Sequence, residues 1–239
     1  MMRYLQQNIV GEIGVKGQRS LSEAKVLIAG AGGLGTPVAT YLASMGIGTI
    51  GIADFDIIQE TNLHRQFAYT PTDIGKPKTE VLAARLRIQN PEIQINCYDE
   101  RLTLDNATKV IQQYDLICDC TDNVATRLLL DVTCNELNKM LIYGAVIGWQ
   151  GYVSILHGSA GIGLIDIFSE ADLLFESQTS CNVSGVVSTV CGIIGTHQAN
   201  EALKIILGIQ SNLDGAIFCY DGLANSSRML RLKRFQPIS

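Results

Sequence analysis

Short, continuous apolar runs alternate with longer stretches of helical periodicity through the first 145 residues. The apolar runs are KVLIA (25–29), TIGIAD (49–54), IQINCY (93–98), DLICDC (115–120) and MLIYGAV (140–146). Uninterrupted runs of this length, rich in Ile, Val and Leu, are how strands buried on both faces of a parallel sheet read. Between them, the pattern predicts helices over PVATYLASMG (37–46), over 78–89 with a stop at Asn90-Pro91, over about 105–113 and over 124–139. Strand–helix alternation of this kind predicts right-handed βαβ units on a parallel sheet. Beyond Trp149 the pattern changes. GYVSILH (151–157) alternates like an antiparallel strand, 158–180 reads as a crossover loop, and an apolar helix covers about 183–207. AIFCY (216–220) and SRMLRLKR (227–234) read as closing strands. No linker or repeat divides the chain. The expectation is a single α/β domain over 1–239 with an N-terminal helical arm and a Rossmann-like, doubly wound mixed sheet, parallel in its N-terminal part with antiparallel C-terminal strands.

Composition narrows the class. With 239 residues, 47% hydrophobic and 17% charged, the chain is a packed globular protein, outside the composition of disordered ones. Lys+Arg 18 against Asp+Glu 23 gives a net charge of −5, which argues against a general nucleic-acid or anionic-membrane surface. No run approaches the roughly 18 apolar residues of a membrane span, and the opening MMRYLQQNIVGEIG places charge and amides where a secretory signal needs apolar residues. The expected location is cytoplasmic. The seven cysteines are odd in number and form no Cys-x-x-Cys, which suits free thiols. Cys118 and Cys120 share one face of a strand and read as core.

Candidate chemistry begins at Gly30-x-Gly32-Gly33-x-Gly35, where a strand becomes a helix and backbone N–H groups can hold phosphate. Asp54 ends the next strand, where a carboxylate can accept from both ribose hydroxyls. These two features fit NAD and ATP equally, and no G-x-x-x-x-G-K-[ST] is present. Asn62-Leu63-His64-Arg65-Gln66 and Gly75-Lys76-Pro77-Lys78 add cations on the ligand edge of the sheet, which a pyrophosphate leaving group needs and hydride transfer does not. Asp119-Cys120-Thr121-Asp122-Asn123 ends the fourth strand on the same edge, and Asp122 can help hold Mg²⁺ against phosphates. Blander readings are solvated ion pairs for Arg65 and Lys78 and a helix N-cap for Asp122.

Taken in order, Gly-x-Gly-Gly-Leu-Gly, Ala-Asp-Phe-Asp, Asn-Leu-His-Arg-Gln, Lys-Pro-Lys and Asp-Cys-Thr-Asp-Asn resemble the ThiF/MoeB/HesA family, bacterial relatives of ubiquitin-activating enzymes. The likeness runs from about Arg3 to Lys233. It implies adenylation of the C-terminal glycine carboxylate of a small β-grasp sulfur-carrier protein ending in Gly-Gly, for sulfur transfer in thiamine or molybdopterin biosynthesis. Mg-ATP would be cosubstrate and the enzyme a homodimer, to which the apolar 183–207 helix would lend a face. Carried over by motif, Gly30, Gly32 and Gly33 face the phosphates and Asp54 the ribose. Asn62, Arg65 and Lys78 grip the polyphosphate, Arg65 and Lys78 being catalytic, and Asp122 holds the metal. Cys181 stands where the family has a cysteine after its crossover loop, which implies a covalent link to the carrier; Cys191 reads as helix packing. None of His64, His157 and His197 is expected to be catalytic.

Two departures from the pattern matter. The paired Cys-x-x-Cys motifs that hold zinc in many members are missing, so no zinc is expected. The second arginine of Arg-Tyr-x-Arg-Gln is Gln6, which puts in question a contact across the dimer unless Arg3 or Arg19 replaces it. An NAD(P)-binding Rossmann oxidoreductase, a non-catalytic carrier-binding scaffold and a tRNA-dehydrating adenylating enzyme are the alternatives.

Overall fold

The computed structural model describes residues 2–168 and 185–234. Two short helices, α1 (Leu5–Asn8) and α2 (Gly14–Glu23), form the N-terminal arm. The alternating portion follows as β1 (Lys25–Ala29), α3 (Gly35–Met45), β2 (Thr49–Ala53), α4 (Lys78–Gln89), β3 (Gln94–Tyr98), α5 (Ala107–Ile111), β4 (Leu116–Asp119), α6 (Val124–Glu136) and β5 (Met140–Ile147). The C-terminal part holds β6 (Gln150–Leu156), α7 (Ser188–Ile206), β7 (Ala216–Asp221) and β8 (Ser226–Arg231).

All eight strands join one sheet in the order β3-β2-β1-β4-β5-β6-β7-β8. Pairings among β1 to β5 are parallel, and those from β5 through β8 are antiparallel. This is the expected mixed sheet. Alternation along each strand feeds two layers: Val26 and Ile28 pack with Leu42, Leu82 and Ile194, whereas Leu27 and Ala29 pack with Val110, Ile111 and Leu130. Helices α3, α4 and α7 therefore cover one face, with α5 and α6 on the other. β1 lies between β2 and β4, so the connections diverge to opposite sides of it and leave a crevice at the carboxyl ends of the strands.

Three helix boundaries differ from expectation. The helix expected from 183 begins at Ser188, and residues 169–184 lie outside the described ones. Gly185 has φ +60°, Gly148 N donates to Gly185 O at 3.0 Å and Val187 N donates to Gly148 O at 3.1 Å, so a backbone ladder occupies 185–187 instead. The helix expected over 105–113 is confined to Ala107–Ile111, because Asn106 Oδ1 accepts from Thr103 N at 2.8 Å and fixes a turn ahead of it. α6 stops at Glu136, short of 139: Asn138 is left-handed at φ +53°, and Lys139 N turns back to Cys134 O at 2.8 Å. Within α7, Val190, Ile194, Ala199, Ala202 and Leu203 are buried in the chain, while Ile193, Ile205 and Ile206 are partly exposed. The start of the crossover is pinned through Asp131, whose Oδ1 lies 2.7 Å from His157 Nε2 and accepts from Leu164 N at 3.1 Å.

Candidate nucleotide site

β1 runs directly into the glycine loop. Gly30 adopts φ +96°, and a Cβ there would stand 2.6 Å from the carbonyl oxygen of Cys120, so the chain crosses the end of β4 only as glycine. A Cβ on Gly33 would meet Cys191 Sγ at 3.2 Å, which makes α7 the floor of the loop. α3 starts at Gly35; Thr36 N and Val38 N are already bonded to Gly32 O at 3.0 Å and Leu34 O at 3.2 Å and Pro37 carries no N–H, so contact with phosphate falls to the glycine loop ahead of the helix. A cleft of about 1260 Å³ opens above, larger than the roughly 300–1,000 Å³ of most small-molecule pockets.

The walls of that cleft hold the expected residues. Gly30, Gly32, Gly33 and Asp54 line it from the strand ends, and Asn62, Arg65, Lys78 and Asp122 from the connections. Cys181 lies outside the described residues.

Asp54 is heavily engaged by backbone: its Oδ2 accepts from Ala31 N at 2.7 Å and its Oδ1 from Asp56 N at 2.8 Å. Burial pushes its carboxyl above the usual carboxylate range, and nearby Lys78 opposes that rise. The carboxylate thus clasps the glycine loop as well as bordering the cleft. Asp56, two residues on, is exposed in the cleft and takes a 2.8 Å ion pair from Lys78 Nζ, whose side chain is only 6% exposed. Of the two acids in Ala-Asp-Phe-Asp, only Asp54, at the strand end, was legible from sequence.

Lys78 opens α4, where Pro77 sets the entry, and its N–H donates to Asp56 O at 3.1 Å. Arg65 follows a short 3₁₀ turn, Glu60–Asn62, in which Asn62 Oδ1 accepts from Gln59 N at 3.0 Å. One guanidinium nitrogen of Arg65 donates to Thr61 O at 3.0 Å and lies 2.9 Å from His64 Nε2. Tyr69 OH donates to Ala31 O at 2.7 Å, tying this segment to the glycine loop. Lys78 is buried and is no solvated surface charge, whereas Arg65 is half-buried, with its guanidinium at the exposed edge of the cleft.

The N-cap of α6 is Asn123, whose Oδ1 accepts from Thr126 N at 2.9 Å. Asp122 is therefore released from the capping role the blander reading gave it, and its exposed side chain faces the cleft. Sequence reasoning also missed Arg101, whose guanidinium sits 3.9 Å from the centre of the Phe55 ring, and Arg127, buried one turn into α6. Both border the cleft. Cys191, expected to pack, does so and lines the cleft too; burial raises its thiol pKa, and Arg65 opposes the shift. Of the histidines, His64 borders the cleft, His157 pairs with Asp131, and His197 lies 4.4 Å from the Phe218 ring.

Four cations, Arg65, Lys78, Arg101 and Arg127, thus ring a glycine loop at a helix N-terminus. Such a wall suits a polyanion with several charges to neutralise. Among the described residues no group of three or more His, Cys, Asp or Glu could hold a metal. Asp122, an exposed carboxylate beside the phosphate loop, fits Mg²⁺ that arrives with a nucleotide and keeps its waters, the mode magnesium favours.

A family model, that of the ThiF family, matches residues 4–238. The chain belongs to the ThiF family. Among relatives, a sulfur carrier protein adenylyltransferase of Thermus thermophilus is 38% identical over 97% of this chain and 87% of its own length. Adenylyltransferase and sulfurtransferase MOCS3 of Caenorhabditis briggsae is 40% identical over 98% of this chain and 58% of its own length. A probable molybdopterin-synthase adenylyltransferase of Porphyra purpurea is 40% identical, covering 99% of this chain and 62% of the relative. The chain thus spans about three fifths of those two longer relatives. In structure, Escherichia coli MccB crystallised with ATP superposes with a TM-score of 0.86 at 22% identity, over 99% of this chain and 72% of that one, so the ThiF-family chain shares its fold. Among the described residues no helix is long and apolar enough to cross a membrane.

Proposed function

We propose that this ThiF-family chain adenylates the C-terminal glycine carboxylate of a small β-grasp sulfur-carrier protein ending in Gly-Gly. ATP is the cosubstrate and pyrophosphate the product. The observation that carries this reading is the convergence of Arg65, Lys78 and the unengaged Asp122 on one glycine-loop cleft. The names of the Thermus and Porphyra relatives support the activity, and sulfur transfer for molybdopterin or thiamine synthesis is the process it serves.

The chemistry follows from charge. A carboxylate oxygen forms a bond to the α-phosphorus as the bond from that phosphorus to the β-phosphate bridging oxygen breaks, and the electron pair leaves on pyrophosphate. Two anions approach, and the nucleophile is already ionised at neutral pH, so positioning and charge neutralisation do the work and no general base is required. Gly32 and Gly33 let the phosphates approach the backbone, and Asn62, Arg65 and Lys78 hold the leaving pyrophosphate. Asp54, with Asp56 beside it, holds the ribose. Asp122 would hold Mg²⁺, which supplies charge neutralisation at the phosphates when bound. ATP–pyrophosphate exchange that appears only when carrier is added is the test; exchange without carrier, or nicotinamide binding in its place, would overturn the reading.

Cys181 is proposed to form the covalent link: once the sulfur donor has placed a persulfide on it, the outer sulfur attacks the adenylated glycine carbonyl, an acyl disulfide forms and AMP leaves. Intact mass of enzyme incubated with carrier, sulfur donor and Mg-ATP should show a reducible conjugate that Cys181→Ser abolishes and Cys191→Ser retains. A cytoplasmic homodimer is also proposed. In this chain neither Arg3, which donates to Gln89 O at 2.8 Å, nor Arg19, paired with Glu23, borders its own cleft, leaving either to serve a partner in place of Gln6. Sedimentation at micromolar concentration should give twice the 25.9 kDa chain mass.

A further inference from the structure

The tip of β4 carries an arrangement that the catalytic reading does not use. Asp119 is fully buried, and its Oδ1 accepts from both Thr121 N at 2.9 Å and Thr121 Oγ1 at 2.7 Å. Arg127 Nη2 donates to Thr121 O at 2.8 Å. All three polar groups of Thr121 are thereby held. The strand tip is anchored in turn by Gln198 of α7, whose Nε2 donates to Asp119 O at 2.7 Å and to Ile142 O at 3.1 Å. On the far side of Asp122, Asn123 is fixed as the helix cap. Asp122 is thus a side chain facing the cleft between two neighbours that cannot turn.

A buried carboxylate is costly, and Asp119 Oδ2 finds no hydrogen-bond partner among the described residues. An apolar side chain would fill the space at less cost but would release Thr121. We infer that Asp119 and Arg127 are positioning residues that clamp Thr121 and so set the reach of Asp122 toward the metal carried by the nucleotide. The inference rests on the metal role proposed for Asp122. Groups that orient a metal ligand from behind typically change metal affinity by about 10- to 100-fold when removed.

The test measures metal and nucleotide separately. Mn²⁺ replaces Mg²⁺, and its binding to the complex of the enzyme with a non-hydrolysable ATP analogue is followed by the electron-paramagnetic signal of free Mn²⁺. Affinity for the same analogue in EDTA is measured by calorimetry. Asp119→Ala and Thr121→Val should each weaken Mn²⁺ by roughly tenfold, with metal-free nucleotide affinity unchanged. Asp119→Asn loses the charge yet keeps the acceptor, and Thr121→Ser keeps the hydroxyl, so both should bind Mn²⁺ like the parent protein. Wild-type Mn²⁺ affinity in Asp119→Ala and Thr121→Val overturns the inference. So does an Asp119→Asn variant as impaired as Asp119→Ala, because charge and not the clamp would then be acting. Should Asp119→Ala fail to fold, the Thr121→Val and Thr121→Ser pair decides alone, since it cuts the same hydrogen bond from its other end. Asp122→Ala separates the two readings. If it leaves Mn²⁺ binding intact, the metal role itself fails and the clamp with it; if it weakens binding while Asp119→Ala does not, only the clamp fails.

Discussion

The two halves of the sheet solve different problems. In the parallel half, Val26 through Ala29 of β1 and all of β4 are buried, whereas every residue of β8 is exposed. Side chains in the parallel strands are consumed by the two packing layers, and the cleft is built where those strands end. Among the described residues, β6, β7 and β8 contribute nothing to the cleft wall. In this molecule, then, the strands that tolerate least change carry their chemistry just beyond their last residue. The outermost strand, β8, carries surface.

The sharpest way to break that contrast is at a cleft residue outside the strands, the first residue of α4, whose loss leaves the fold alone. Lys78→Ala should lower carrier-dependent ATP–pyrophosphate exchange by roughly 100- to 1000-fold, the usual effect of deleting one preorganised charge contact, with circular dichroism unchanged. Next in size is the packing of β1. Ile28→Ala, at a position with no exposure, should cost about 3 kcal/mol in urea unfolding. A value near zero would mean that the parallel core is not where stability resides.

The connections of the parallel half can be sharpened by pH. The Thr70 hydroxyl first, with Lys76 and Arg85, holds the Asp73 carboxyl well below the usual carboxylate range, against the opposing effect of burial. A carboxylate with a depressed native pKa stabilises the fold above its unfolded pKa of about 4 and loses that contribution as pH falls further. Asp73→Asn should therefore cost about 1 kcal/mol at pH 7, and the difference from the parent should shrink below about pH 4. A difference that grows on acidification would reverse the assignment. The smallest effect is expected in the antiparallel half: Leu230→Ala, 45% exposed on β8, should change stability by no more than about 0.5 kcal/mol.

The same contrast explains what could be read from sequence. β1 was legible to the residue because a buried parallel strand is a continuous apolar run between a charged start and a glycine loop. The alternating pattern of GYVSILH likewise marked β6 as antiparallel. Helix ends were harder, since Gly185 and Asn138 act through left-handed backbone and through pairing with distant residues, Gly148 in the first case. At the site, Gly32, Arg65, Lys78 and Asp122 announced themselves by motif. Asp56 was hidden behind the more obvious Asp54, and only its pairing with Lys78 distinguishes the two. Arg127 sits on a helix face that periodicity reads as any other charged position, and its role appears only when α6 is folded against the tip of β4. The capping assignment failed by one residue because Asp and Asn cap equally well, and three-dimensional geometry chose Asn123.

The floor supplied by α7 has a consequence for how the protein is made. β1 finds its neighbour β4 some ninety positions later, Val26 beside Leu116, and Gly33 rests on Cys191, which follows later still. Gln198, which fastens the tip of β4, arrives with the same helix. A chain emerging from the ribosome therefore carries the whole glycine loop and all four cations long before it owns the surface on which that loop lies. Such distant pairings close slowly and leave apolar strands uncovered in the interval. The residues from Ser188 onward are what turn a set of motifs into a binding site: a nascent chain halted before Ser188 has the glycine loop and all four cations and no finished cleft in which to use them.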